Sequence, residues 1–200
     1  MSLASRHLRE LSCTRPEILS RSYQTKWLDD RAAVKVMLKN RQVGATWLLA
    51  LDAVTAAMSG PRSSSTLYLA TSRDQGRQFL EYCHWWARQL GHDSNALQRG
   101  DRLEFISEQC IEIAAPTNAA YCRPAGRGWG TIAIDEAHDI PDLTSLLRSF
   151  CLSQSDATLS MTVTGSSESR NTIDIAMRDA GLLEYSFHGP VTSSDAMGRE

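Results

Sequence analysis

The segment Lys39-Asn40-Arg41-Gln42-Val43-Gly44-Ala45-Thr46 joins two stretches with different apolar patterns, and this junction indicates the fold class. Residues 33–38 before it are β-branched and apolar, which predicts a strand. Residues 46–58 after it are apolar over a longer stretch, which predicts a helix. A strand, a polar loop and a helix in this order begin a βαβ unit, so the sequence favours an α/β fold.

The rest of the chain repeats this alternation of strand and helix. Further strands are predicted at 66–71, 131–135, 159–164 and near 183–187, and further helices at 73–90, 142–153 and 171–180. A hairpin is predicted from 102–107 and 110–114. The pattern predicts a mostly parallel sheet with helices on both faces, in which ligands bind at the carboxyl ends of the strands.

The domain organisation follows from where this alternation begins. Residues 1–30 are mostly polar helix formers interrupted at Pro16, and we interpret them as an N-terminal helical adaptor of two or three short helices. No internal repeat or linker divides residues 31–200, which we expect to form one domain.

Composition excludes several classes of protein. With 21 Lys and Arg against 23 Asp and Glu, the formal net charge of −2 excludes binding of nucleic acid by bulk positive charge. The longest apolar runs are far shorter than the ~18 residues of a membrane span, and the N-terminus has no apolar signal region. The five cysteines are scattered and form no Cys-x-x-Cys pair, so we interpret them as reduced packing residues.

The loop at 39–46 is similar to a phosphate-binding loop, Gly-x-x-x-x-Gly-Lys-[Ser/Thr], with changes. Gly44 and Thr46 match the pattern, but Lys39 stands at the first glycine position and Ala45 replaces the lysine. Lys39 and Arg41 still supply positive charge near the loop. An ordinary strand-to-helix turn is the alternative interpretation of this segment alone.

Two more polar groups follow predicted strands. Asp135 and Glu136 end an apolar strand, where an Asp can hold Mg²⁺ and a Glu can deprotonate water; the alternative is a pair of acids at a helix N-terminus. Thr164-Gly165-Ser166 ends the next strand, where hydroxyl groups can sense a phosphate or the attacking water, although the segment is also typical of a turn.

Together these three segments resemble the ATPase domain of phage terminase large subunits, the motors that package DNA, and in particular the branch found in Mu-like phages and prophages. Members of that branch carry Arg-Gln-x-Gly in the loop, as at 41–44, and some place the lysine at the loop's start, as Lys39 is here. Tyr23-Gln24, the segment 71–75 and Arg127-Gly128 also match motifs of the family.

The resemblance implies an additional-strand, RecA-like P-loop NTPase that takes ATP and Mg²⁺. It implies that Thr46 and Asp135 hold the metal, that Glu136 acts on the water, and that Arg41 acts as a finger in cis. It assigns adenine to Gln24, coupling to Thr164, Gly165 and Ser166, and a sensor or DNA-contact role to Arg127. The nucleotide is held by residues 39–46: Lys39, Asn40, Arg41, Gln42, Val43, Gly44, Ala45 and Thr46.

The function implied is ATP hydrolysis coupled to translocation of double-stranded DNA by a homo-oligomeric ring in the bacterial host cytoplasm. Its partners would be the portal and the small terminase subunit, with no membrane. Only 34 residues follow Ser166, too few for the nuclease domain of the family, so we expect no nuclease activity. The alternative is a truncated prophage remnant or separate subunit that binds nucleotide as a scaffold with little turnover.

Residues 135–138 also spell the Asp-Glu-Ala-His box of a helicase family that shares this core. Those helicases need a Gly-Lys-Thr loop and a second motor domain, so we favour the terminase interpretation. We expect no catalytic role for His138, and we expect Trp85 and Trp86 to pack in the core rather than stack on bases.

Overall fold

A computed structural model describes residues 1–15, 21–59, 65–92, 96–114, 129–153, 157–165 and 167–192. Its helices are α1 (Leu3–Thr14), α2 (Ser22–Asp29), α3 (Ala45–Met58), α4 (Arg73–Gln89), α5 (Leu143–Ser153) and α6 (Ser167–Asp179), with a 3₁₀ turn at Ala137–Asp139. Its strands are β1 (Val34–Lys39), β2 (Thr66–Leu69), β3 (Ala96–Arg99), β4 (Arg102–Phe105), β5 (Cys110–Ala114), β6 (Thr131–Ile134), β7 (Thr158–Thr164) and β8 (Ser186–Val191).

The strands form one sheet in the order β3-β4-β5-β2-β6-β7-β1-β8. The pairs β5/β2, β2/β6, β6/β7, β7/β1 and β1/β8 are parallel, whereas β3/β4 and β4/β5 are antiparallel. β7 lies between β1, which leads into the loop at 39–46, and β6, which leads into Asp135. The predicted fold class, a mostly parallel additional-strand sheet, is therefore confirmed.

Three elements differ from the sequence prediction. β3 was not predicted because its four residues contain only two apolar side chains, and its pairing with β4 provides what local propensity does not. β8 lies later than predicted and includes Gly189 and Pro190, which an edge strand tolerates. α6 begins at Ser167, several residues before the predicted 171. The prediction began too late because the first turn of the helix is polar and gives no apolar pattern.

Two apolar layers cover the sheet, as predicted. Val34, Val36 and Leu38 of β1 pack in the layer beneath α5 and α6, while Met37 packs in the layer beneath α3 and α4. Because side chains alternate along a strand, Lys39 emerges on the α3 side of the sheet. Leu8 of α1 and Trp27 of α2 are fully buried in that same layer.

Candidate nucleotide site

Asp135 anchors the candidate site. It follows β6 directly, is 6% exposed, and accepts hydrogen bonds on both carboxylate oxygens. Oδ2 accepts from Thr46 Oγ1 at 2.6 Å and from the Tyr68 hydroxyl at 2.9 Å. Oδ1 accepts from the Thr162 hydroxyl and from the Glu136 N–H at 3.1 Å. The carboxylate is thus held in one orientation with the hydroxyl of the loop's Thr46 beside it.

Tyr68 helps to fix the orientation of the Asp135 carboxylate. Burial and the neighbouring Asp135 carboxylate raise the pKa of the Tyr68 phenol well above its usual value, so the hydroxyl stays protonated and donates. Its ring stacks on Phe79 of α4 with centroids 3.6 Å apart.

Lys39, Glu136 and Thr164 form a second cluster beside Asp135. Lys39 Nζ lies 2.7 Å from Glu136 Oε1 and donates to Thr164 Oγ1 at 2.8 Å. Thr164 donates its hydroxyl to Glu136 Oε1 at 2.7 Å and its N–H to Oε2 at 3.0 Å. The side chain of Lys39 is 6% exposed and that of Glu136 is 20% exposed, so the ion pair is largely shielded from solvent. The ends of β1, β6 and β7 therefore bring together the three predicted segments.

The loop between β1 and α3 has a backbone conformation that suits anion binding. Gln42 and Gly44 have positive φ angles of 61° and 85°, and α3 begins at the next residue, Ala45. For Gln42 this conformation costs ~1–3 kcal/mol, a cost typical of functional loops. N–H groups at the start of a helix have no partner within the helix and attract phosphate.

A cavity of about 530 Å³ opens over this loop. The predicted residues that line it are Lys39, Arg41, Gln42, Val43, Gly44, Ala45, Thr46, Glu136 and Thr164. The remaining lining residues are Trp47, Gln75, Gln78, Tyr82, His138 and Asp139.

Several predicted site residues lie elsewhere. Asn40 is exposed and outside the cavity lining, and its N–H continues the sheet by donating to the Val191 carbonyl at 2.8 Å. Gly165 has a φ of 132° and turns the chain after β7. Ser166 and Arg127 lie outside the described residues.

Gln24 lies against the loop at 39–46 but outside the cavity lining. It is 4% exposed, and its Oε1 accepts the Arg21 N–H at 2.9 Å. Its Nε2 lies 3.9 Å from where a Cβ on Gly44 would stand, and the hydroxyl of the adjacent Tyr23 donates to the Val43 carbonyl. Gln24 is not among the residues that line the cavity. Its predicted contact with adenine stays a prediction.

The motif at 71–75 includes Gln75 of α4, but sequence reasoning missed Gln78 and Tyr82 of the same helix, which also line the cavity. Gln75, Gln78 and Tyr82 are spaced by three and four residues and so lie on one helical face, which the amphipathic pattern already contained. Trp86 is fully buried, as predicted, and its Nε1 donates to the Trp47 carbonyl at 3.0 Å. His138 also lines the cavity, with Nδ1 3.8 Å from Glu136 Oε2.

The side chains present fit a nucleotide with Mg²⁺. Mg²⁺ takes hard oxygen ligands, usually only one or two from carboxylates with water completing the shell, and Thr46 with Asp135 offers that set. No cluster of three or more His, Cys, Asp or Glu side chains exists among the described residues, so a cage built only from protein is not found there. The cavity volume falls within the range of small-molecule sites.

Two further sequence predictions concern cysteines and membranes. Cys83 and Cys110 are free and buried, which confirms packing roles for these two, and Cys13 is free and exposed. Within the described ranges, no helix is both long and apolar enough to cross a bilayer.

Comparison of the sequence with known proteins finds one curated relative at low identity. The Mu-like prophage FluMu protein gp28 of Haemophilus influenzae is 28% identical over an alignment 200 residues long that covers 90% of this chain and 38% of that protein. The chain therefore spans well under half of the relative's length. No protein-family model matches the sequence.

Comparison of the structure finds two groups of solved proteins. The large terminase of bacteriophage HK97 matches with a TM-score of 0.67 at 13% identity, over 94% of this chain and 44% of that one. The large-terminase ATPase domain of Thermus phage P74-26 matches with a TM-score of 0.66 at 15% identity, over 91% and 84%. A yeast DEAD-box splicing factor matches with a TM-score of 0.62 at 12% identity, over 92% and 50%.

These likenesses agree with the motifs quoted above. The match to the DEAD-box splicing factor shows that this protein shares the fold of that group as well, as the Asp-Glu-Ala-His segment indicates. The terminase matches share the fold, and the prophage relative shares sequence over most of this chain. The chain has the α/β nucleotide-binding fold of phage large-terminase ATPase domains, and its predicted resemblance to that domain in the Mu-like prophage branch is confirmed.

Proposed function

We propose that this chain is the ATP-binding and ATP-hydrolysing motor domain of a phage or prophage DNA-packaging terminase. The observation that carries the proposal is the pairing of Thr46 with the buried Asp135 at 2.6 Å beside the Lys39–Glu136 ion pair. Lys39, Thr46 and Glu136 line the cavity. This arrangement supplies a metal position, a phosphate-binding cation and a general base within one cluster.

The phosphates bind to the loop and to Lys39. N–H groups at the start of α3 hold the phosphate oxygens, and Lys39 supplies the positive charge that Ala45 lacks. Thr46 and Asp135 hold Mg²⁺, which when bound neutralises part of the phosphate charge. Arg41 lies exposed on the rim of the same cavity, where its guanidinium can approach the charge that develops during cleavage.

Glu136 acts as the general base. Water attacks the γ-phosphorus, its proton passes to the Glu136 carboxylate, and the bond to the β–γ bridging oxygen breaks to release ADP and phosphate. The Thr164 N–H and hydroxyl fix the carboxylate for this transfer. Because Lys39 contacts Glu136 in this structure, a phosphate that draws Lys39 away leaves Glu136 free to accept the proton.

We assign to Thr164 a role in coupling ATP hydrolysis to movement. It contacts both Lys39 and Glu136 and ends β7, so a shift of either side chain changes the start of the segment 164–166. We assign coupling to this segment on that basis. A pair of charges that exchanges partners at a strand end is the kind of two-state element that couples a ligand to movement.

DNA is the proposed substrate for movement. A chain of net charge −2 has no excess field to hold a polyanion, so we propose that a homo-oligomeric ring gathers basic loops into one channel. A portal and a small terminase subunit complete the proposed machine, which would work in the bacterial host cytoplasm.

The deciding experiment measures ATP turnover by the purified chain, with and without double-stranded DNA. Turnover that DNA stimulates supports a motor. Nucleotide binding with negligible turnover in both conditions supports instead a scaffold module that binds nucleotide. Absence of any nucleotide binding refutes both.

A further inference from the structure

We infer that Tyr23 is a positioning residue of the phosphate-binding loop, because its hydroxyl orients the peptide between Val43 and Gly44 so that the Gly44 N–H points into the cavity. The inference rests on the proposed function and deepens it by naming what prepares the loop for an anion. Tyr23 lies on α2, is 9% exposed, and donates its hydroxyl to the Val43 carbonyl.

The direction of the Gly44 N–H follows from the planarity of this peptide. In a trans peptide the C=O and the N–H point in opposite directions, so the partner of the Val43 carbonyl fixes where the Gly44 N–H points. Val43 and Gly44 line the cavity, whereas Tyr23 is not among its lining residues. The carbonyl therefore points to α2 and the N–H points to the cavity. Within the described part of the chain the Gly44 N–H has no hydrogen-bond partner, so it is available to a phosphate oxygen.

Gly44 does not hold this orientation by itself. Rotation of the peptide between Val43 and Gly44 changes the φ angle of Gly44, and glycine adopts positive and negative φ about equally well. The observed φ of 85° is thus one of two accessible states of the loop. In the other state the Val43 carbonyl faces the cavity, where its partial negative charge repels phosphate. The hydrogen bond from Tyr23 stabilises the state that can bind.

Contacts of α2 with the sheet fix the position of Tyr23. Trp27, one turn further along the helix, is fully buried, and its ring lies 5.1 Å from the ring of His188 on β8. Asp30, which follows α2, contacts His188 Nε2 at 2.6 Å. β8 pairs with β1, the strand that leads into the loop. The helix and the loop are therefore attached to the same part of the sheet, and the fold sets where the Tyr23 hydroxyl lies.

Titration calorimetry with ATP and with inorganic tripolyphosphate, each with Mg²⁺, tests the role of the hydroxyl. Tyr23→Phe keeps the ring and should weaken the binding of both ligands by the same factor, about three- to tenfold, because both ligands use the phosphate-binding loop. Thr25→Val is the matched control. It removes a hydroxyl of the same helix that donates to the Ser22 carbonyl, and it should bind both ligands like the parent chain.

A second measurement observes Gly44 in the parent chain and needs no variant. Val43-Gly44 is the only Val-Gly pair in the sequence, so labelling with ¹³C-carbonyl valine and ¹⁵N-glycine isolates one amide signal. Saturation with Mg²⁺ and tripolyphosphate should shift the Gly44 amide proton downfield, as expected for a new charge-assisted hydrogen bond. An amide proton that does not shift overturns the inference, even if Tyr23→Phe does not fold.

The outcomes separate this inference from the proposed function. If the parent chain binds neither ligand, the proposed function and the inference both fail. If the parent chain binds both ligands and Tyr23→Phe loses affinity for ATP alone, the hydroxyl contacts the nucleoside and only the inference fails. If Tyr23→Phe lowers the free energy of unfolding and keeps both parental affinities, its role is purely structural and again only the inference fails.

Discussion

Replacing Lys39 by Met tests the displaced lysine, which is the main departure of this chain from the usual phosphate-binding loop. Lys39 Nζ contacts Glu136 at 2.7 Å and Thr164 at 2.8 Å, and its side chain is 6% exposed. Methionine keeps the length of the side chain and removes the charge. Because the Ala45 side chain carries no charge that could replace the lysine, the loss of one charge-assisted contact of ~1.5–3 kcal/mol should raise the Kd for ATP by about tenfold or more.

The same substitution has a measurable effect on stability without nucleotide. Lys39→Met removes the lysine that pairs with Glu136, which is 20% exposed, and leaves the donors of Thr164 and the nearby His138 ring to offset its charge. We expect the free energy of unfolding to fall by ~1–3 kcal/mol, with part of the loss recovered in Lys39→Met/Glu136→Gln because the neutral amide no longer needs a cation. Denaturant titration of the parent chain, Lys39→Met, Glu136→Gln and the double variant gives the coupling energy between the two side chains, expected at ~0.5–3 kcal/mol.

Titration calorimetry and denaturant unfolding together distinguish Lys39 from Arg41 as the cation that binds the phosphate. Arg41→Ala is the control for binding, because Arg41 lies on the exposed rim of the cavity rather than beside Glu136. If Lys39→Met binds ATP within twofold of the parent chain while Arg41→Ala loses affinity, the phosphate cation is Arg41. That result would refute the assignment of Lys39, and a coupling energy near zero would refute the importance of its pair with Glu136.

The remaining predictions concern catalysis, DNA and pH. Glu136→Gln should keep ATP affinity and lower turnover ~10²-fold or more, since an amide cannot accept a proton; equal turnover would place the base elsewhere. The isolated chain should bind double-stranded DNA with a Kd of ~10⁻⁴–10⁻⁶ M that weakens steeply with salt, and nanomolar, salt-insensitive binding by a monomer would contradict the ring. Burial opposes the shift, but hydrogen bonds from Ser186, Ala32 and His188 lower the pKa of Asp30 from 3.8 to about 2. Its contribution of ~2 kcal/mol should be complete above about pH 4 and disappear as the pH falls towards 2; acid unfolding of Asp30→Asn should lack this component.

The cluster of Lys39, Asp135, Glu136 and Thr164 could be predicted from the sequence, because the carboxyl ends of parallel strands lie at the same edge of a sheet. The carboxyl ends of β1, β6 and β7 meet at one edge of the sheet, so segments that follow those strands come together although Lys39 and Glu136 are 97 residues apart. Strand alternation also places Lys39 and Thr164, which are register partners, on the same face. These relations need only the positions of the strands.

Side-chain partners inside the fold were harder to predict. The sequence predicts a strand at 66–71 but gives no sign that the Tyr68 hydroxyl donates to Asp135, because β2 and β6 are neighbours in the sheet and not in sequence. The role of Gln24 behind the loop depends on the rotamer of one buried amide, which no residue pattern specifies. β3 depends on pairing with β4 rather than on its own apolar content.

In the proposed function, the position of Lys39 compensates for the alanine at position 45. A lysine at position 45 would stand on the first turn of α3, where Ala45 is 3% exposed and packs in the apolar layer between α3 and the sheet. At position 39 the lysine ends β1 on the α3 side, and Thr164 is its register partner on β7. The charge therefore enters the cavity from the sheet instead of the helix, and it does so in contact with both Glu136 and Thr164. In the proposed function, one side chain thus contacts the phosphate, the general base and the coupling segment, and for that reason Lys39 is the residue whose replacement should change all three.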